Sequence, residues 1–188
     1  MTTLLYSGNL GIGQDLGTVL RAAACLNGDV DLHILIVGSG KRLADIGRLV
    51  VELKLENAEF RPPVPLYKLH ELLAAGDVHI VCQKPGTEGL LVPSKIYSTL
   101  AAGRPSLFVG PSGCEVAHIV QDSRSGRVVE PGDVDGAAGA LKELAQSRAA
   151  LAEMGENARE YYEYYFGRQR SVSKIIDIIE RVGTNDSH

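Results

Sequence analysis

Between Lys84 and Pro105 the chain reads KPGTEGLLVPSKIYSTLAAGRP, which gathers glycines, the single carboxylate Glu88, and Lys84, Lys95 and Arg104. A glycine loop opens the stretch, and Pro93-Ser94 leads into a helical pattern with Ile96, Thr99 and Leu100 on its core face. Ser94 and Ser98 then fall together on the opposite side, one turn apart. Gly103 ends the helix and Pro105 keeps it from resuming. The first amides of a helix lack intrahelical partners, so a glycine loop running into one can hold an anion. Glu88 is suited to accept hydrogen bonds from hydroxyls, and the three cations can supply positive charge. Arg104 equally suits the C-terminal end of a helix, and the whole stretch equally suits a plain connection between strand and helix.

A second glycine loop, SGNLGIG at positions 7–13, lets main-chain amides approach an anion without an intervening Cβ. It is not a dinucleotide fingerprint, because Leu16 stands where the third glycine is required, and Leu43 does the same after Gly38. Gly40-Lys41 is not a nucleotide-triphosphate loop: Leu35 replaces its first glycine and Arg42 its Ser or Thr. The five histidines lack the spacing of metal ligands, and no G-x-S-x-G elbow is present to support acyl transfer.

These loops need a frame. Apolar runs at Leu4–Tyr6, Leu32–Val37, Ala58–Phe60, Val78–Cys82, Ser106–Val109 and Gly126–Val129 read as strands. Helical patterns alternate with them: Gln14–Leu26, a segment carrying Leu43, Ile46, Val50 and Leu53 on one side, Leu66–Ala75, the stretch after Ser94, and Glu115–Val120. Prolines make Arg61–Pro65 a loop. Helices follow from Asp133 to about Ala145, from Arg148 to Phe166, and through Val172, Ile175, Ile176, Ile179 and Val182. Alternation of this kind predicts an α/β fold: a three-layer Rossmann-like domain with a parallel sheet of about six strands and C-terminal helices extending from it. The glycine loops at 8–13, 38–40, 86–89 and 110–113 would meet at the edge where such sheets bind ligands.

At 188 residues the chain suits one domain spanning 1–188. A net charge of −4 without a basic block argues against nucleic acid. Scattered Cys25, Cys82 and Cys114 suit a reduced, cytoplasmic setting, and no apolar run is long enough to span a bilayer. The cluster YYEYYF at Tyr161–Phe166 holds more aromatics than one helix face can bury.

The sequence resembles the C-terminal, donor-binding half of GT-B glycosyltransferases of the large retaining family 4. The resemblance rests on YSGNLG (6–11), LIVGSG (35–40), GDVHI (76–80), EGLLVPSKIYSTLAAGRP (88–105) and SGRVVEPGD (125–133). The PSK…AAGRP block is the most specific, and is similar to that of bacterial members that build surface polysaccharides and lipid-linked glycans. The resemblance implies a donor site for a UDP- or GDP-linked sugar, with no other cofactor and no metal. It implies that Gly8, Asn9 and Gly11 face the diphosphate and sugar. Gly38, Gly40, Arg61 and Val64 would border the base. Glu88 and Gly89 would address the donor sugar, and Pro93, Ser94 and Lys95 the diphosphate. Glu88 and Lys95 are the catalytic candidates. Ser98 stands where the family's ribose-holding second Glu is expected, and Lys84 or Lys95 would replace the family's Arg/Lys pair. The family mechanism is same-face attack, with the leaving phosphate taking the acceptor's proton.

In that family an acceptor half precedes the donor half, whereas here the first strand begins at the N-terminus. The expectation is an excised donor domain or one subunit of a split enzyme, inactive without its N-terminal partner. Any membrane contact would then come through that partner. The helix at about 168–182 would be meant to pack on the missing half. The alternative is a non-catalytic nucleotide- or sugar-binding module of similar fold.

Overall fold

The computed structural model describes the chain except residues 12, 27, 88–91, 169, 171, 174, 177, 178 and 180–188. β1 (Thr2–Asn9), α1 (Leu16–Cys25), β2 (Leu32–Ser39), α2 (Leu43–Glu52) and β3 (Ala58–Arg61) form the first half. A 3-10 turn at Leu66–Lys68 leads into α3 (Leu69–Ala75) and β4 (Val78–Cys82). Then come α4 (Lys95–Ala101), β5 (Ser106–Val109), α5 (Glu115–Asp122), β6 (Gly126–Val129), α6 (Val134–Gln146) and α7 (Arg148–Phe166). All strand pairs are parallel, in the order β3-β2-β1-β4-β5-β6. The order reverses between β1 and β4, which is where a crevice opens at the strands' C-terminal ends.

Strands buried on both faces carry continuous apolar runs, and β4 is buried at every position. On one face Leu4, Tyr6, Ile34, Ile36 and Ile80 pack with Leu16 and Leu20 of α1, Ile46 and Val50 of α2, and Leu141 of α6. On the other, Val81 and Phe108 pack with Ile96 and Leu100 of α4, Val116 and Val120 of α5, and Ala158 of α7. Asp133 accepts from the Gly136 amide at 2.9 Å, and Ser147 from the Ala150 amide at 3.1 Å, so α6 and α7 start at side-chain caps.

Several boundaries differ from the sequence expectation. β1 and β2 each run to eight residues, because Ser7, Gly8 and Asn9 continue the ladder opposite Val37, Gly38 and Ser39. Arg61 closes β3, paired in register with Val37, and does not begin the loop. Leu43 is exposed; the buried residues of α2 are Ile46 and Val50. α3 buries no residue. The residues described between 168 and 179 are helical, and Val172, Ile175, Ile176 and Ile179 stand 48–64% exposed. Tyr164 and Tyr165 are exposed too, whereas Tyr161, Tyr162 and Phe166 pack partly against the α4–α5 core. Among the described residues no helix is long and apolar enough to cross a membrane.

Candidate functional site

The ends of β1 and β2 lie closer than side chains permit. A Cβ on Gly38 would sit 1.9 Å from the Gly8 carbonyl oxygen, so two glycines face each other in the ladder. Gly8 has φ +119° and Gly40 φ +146°, conformations that favour glycine. The Leu10 amide donates to Ser39 at 2.8 Å, and the Arg42 amide to Leu10 at 3.1 Å, which ties the two loops together. The Lys84 amide donates to Gly13 at 3.0 Å and brings the loop after β4 to the same place.

Lys95 crosses this edge. It opens α4, and its side chain runs back over the end of β1: a Cβ on Gly8 would lie 2.8 Å from Lys95 Cε. The ammonium sits 5.2 Å from the centroid of the buried Tyr6 ring. Burial pushes the Lys95 pKa down, with the Cys82 thiol acting weakly the other way. A cation in the first turn of a helix is also disfavoured by the helix dipole. Lys95 has no ion pair among the described residues' salt bridges. A partly buried cation without a paired anion is costly to hold. Beneath it, burial pushes the Cys82 thiol up to about 12 and raises the Tyr6 phenol well above its ordinary value, so both stay protonated at neutral pH.

Two concavities meet here. A cavity of about 330 Å³ is lined by Gly8, Asn9, Gly38, Val64, Leu69 and Leu72, among others. A groove of about 680 Å³ between α3 and α4 carries Ser94, Ser98, Tyr97 and Arg104, with Leu69 common to both. Ser98 donates to the Lys95 carbonyl at 2.9 Å, and Ser94 is exposed at the start of α4 without capping it.

The structure thus brings Gly8, Asn9, Gly38 and Val64 around one cavity, with the Lys95 side chain against Gly8 and with Ser94 and Ser98 in the adjoining groove. Gly11 lies against Asn9, and Gly40 against Asn9 and the Leu10 carbonyl. Pro93 is buried, and its carbonyl accepts from the Ile96 amide at 3.2 Å. The Arg61 guanidinium pairs with Glu59 on its own strand and lines neither concavity. Lys84 is half-buried. Glu88 and Gly89 lie outside the described residues. Leu69 and Leu72 were missed by sequence reasoning, which placed them in the Leu66–Ala75 helix and gave them no part in the site. The available signal was an apolar helix beginning straight after a proline-rich segment. Among the described residues no group of three or more side chains is arranged to hold a metal ion.

The model of the family described as glycosyl transferases group 1 matches residues 2–147. A putative colanic acid biosynthesis glycosyl transferase, WcaI, of Escherichia coli is 30% identical over 177 residues, covering 94% of this chain and 42% of that protein. The chain thus spans less than half the length of the curated relatives it matches. HepE from Anabaena, solved with UDP and glucose, superposes with a TM-score of 0.75 at 15% identity, covering 94% of this chain and 48% of that one. The C-terminal domain of a group 1 glycosyl transferase from Francisella tularensis superposes at 0.72 with 16% identity, covering 89% of this chain and 87% of that one.

Proposed function

The chain belongs to the glycosyl transferases group 1 family, and we propose that it is the donor-binding half of a retaining enzyme that moves a sugar from a nucleotide-sugar to an acceptor in polysaccharide or lipid-linked glycan synthesis. The observation that carries this reading is Lys95 lying across Gly8 at the end of β1, at the sheet's switch point. In this reading the pyrophosphate sits between the Lys95 ammonium and the amides after β1. The base reaches Val64, and the ribose approaches Ser98. Glu88 addresses the sugar.

As the anomeric carbon–oxygen bond breaks, negative charge gathers on the departing diphosphate. A preorganised, partly desolvated cation stabilises that charge more than it stabilises the intact donor. The acceptor oxygen bonds to the anomeric carbon on the same face, and its proton passes to the leaving phosphate. This scheme needs no titrating side chain. The UDP in HepE supports a nucleotide-linked donor.

The apolar face of Val172, Ile175, Ile176 and Ile179 fits a preceding acceptor-binding domain or subunit, without which the chain would be silent. The free thiols of Cys25, Cys82 and Cys114 suit a cytoplasmic setting. A non-catalytic sugar-nucleotide module is the second reading, favoured by Ser98 in place of a carboxylate. Calorimetric titration with UDP, GDP and ADP tests donor binding, and mixing with an N-terminal half tests transfer. Tight binding of one nucleotide with sugar transfer supports the first reading. Binding without transfer leaves the second, and no binding defeats both.

A further inference from the structure

One buried histidine joins the two helices that flank the site. His79 of β4 is 3% exposed, with Nε2 2.9 Å from the Leu73 carbonyl and Nδ1 3.0 Å from Thr99 Oγ1. A carbonyl only accepts, so Nε2 carries the proton. Nδ1 is then bare, and the Thr99 hydroxyl donates to it. Leu73 belongs to the last turn of α3, where helix carbonyls lack intrahelical partners. The next such carbonyl, Ala74, accepts from Arg104 Nη2 at 3.0 Å. Gly76 lets the chain pass over the ring: a Cβ there would meet Leu5 Cβ at 2.5 Å and His79 Cδ2 at 3.0 Å.

The rest of α3 is loosely held. It buries no residue, and every residue from Arg61 to Glu71 is exposed. Its anchors lie at the last turn, while its other end carries Leu69 and Leu72 into the cavity beside Gly8 and Val64. On the far side of the groove, Thr99 shares α4 with Lys95 and Ser98.

We propose that His79 is a positioning residue: by holding the last turn of α3 and the middle of α4 from below, it sets the gap between them and so the width of the donor cleft. The proposal rests on the donor reading. His79 touches no ligand itself; it acts through Leu69, Leu72 and Ser98.

Two substitutions separate its bonds. His79→Asn keeps an acceptor near Nδ1 for Thr99 but does not reach Leu73. His79→Gln places an amide N–H near Nε2 for Leu73, and Thr99 can turn its hydroxyl to a carbonyl one turn earlier. The readouts are UDP affinity and hydrogen exchange of the α3 amides, on the 188-residue chain. In His79→Asn the α3 amides exchange faster while those of β1 and β4 stay protected, and UDP binding weakens roughly three- to tenfold. In His79→Gln both readouts return to within about twofold of wild type. Equal UDP affinity in the two variants overturns the proposal. So does loss of protection throughout β1 and β4, which would make His79 a general stability residue. If the wild-type chain binds none of UDP, GDP and ADP, the donor reading fails and takes the cleft-setting role with it; the exchange pattern still decides whether His79 anchors α3.

Discussion

Replacing Lys95 by methionine should move stability and binding in opposite directions. Burial lowers the Lys95 pKa, so the folded chain holds that proton less readily than the unfolded one. Below the lowered value the buried charge costs stability, and between it and the ordinary lysine value stability rises with pH. Lys95→Met removes both the cost and that rise. Against this stands the loss of the cation–π contact to Tyr6, worth about 0.5–1 kcal/mol. The net expectation is a variant no less stable than wild type, and up to about 1 kcal/mol more so. Binding should suffer. A charge-assisted hydrogen bond to phosphate contributes about 1.5–3 kcal/mol, and a loss of about 2 kcal/mol weakens UDP binding about 30-fold. With UDP at ~100 times the wild-type Kd, ligand stabilisation is about 2.7 kcal/mol for wild type and about 0.9 kcal/mol for the variant. Thermal scans with and without UDP read this as a shift of about 5–11 °C against about 2–4 °C. An unchanged UDP shift in the variant, or a variant that unfolds several degrees earlier without ligand, refutes the reasoning.

Gly38→Ala would set a Cβ 1.9 Å from the Gly8 carbonyl oxygen; prising β1 from β2 should cost about 3 kcal/mol in urea unfolding. Glu88→Ala should weaken binding of the sugar nucleotide more than that of bare UDP, since its proposed contact is with the sugar; equal losses by calorimetry would remove it from that role. His79 has its pKa lowered to about 4, chiefly by burial, so it folds neutral. Protonation therefore favours the unfolded chain: the stability it secures is full above the unfolded value near 6.5 and lost as pH falls toward 4, by roughly 3 kcal/mol in all. In His79→Gln, unfolding followed between those pH values should lack that component.

The alternating fold was legible because short, mostly apolar β-prone runs alternate with helical patterns and glycines cluster at the ends of several strands. The length of β1 was not. Ser7-Gly8-Asn9 has the composition of a turn, yet the parallel ladder to β2 extends it, since Gly8 and Gly38 let the two backbones stay close. Lys95 and Gly8 were both read as site residues, but nothing local in the sequence says that residues so far apart would touch. The crossover from β3 to β4 decides that. Arg61 misled for a related reason: Pro62 and Pro63 mark a loop, while in-register pairing with Val37 holds Arg61 in β3 and its guanidinium turns to Glu59. The sequence showed that Leu66–Ala75 is helical but not how it is held: carbonyl bonds anchor the last turn of α3, and Leu69 and Leu72 line the cavity.

The most direct test is a crystal structure of the chain with UDP. The expected result is a pyrophosphate oxygen within about 3 Å of Lys95 Nζ, above Gly8, with the base against Val64. UDP seated away from the ends of β1 and β2, or bound there with Lys95 touching no phosphate oxygen, would contradict the account.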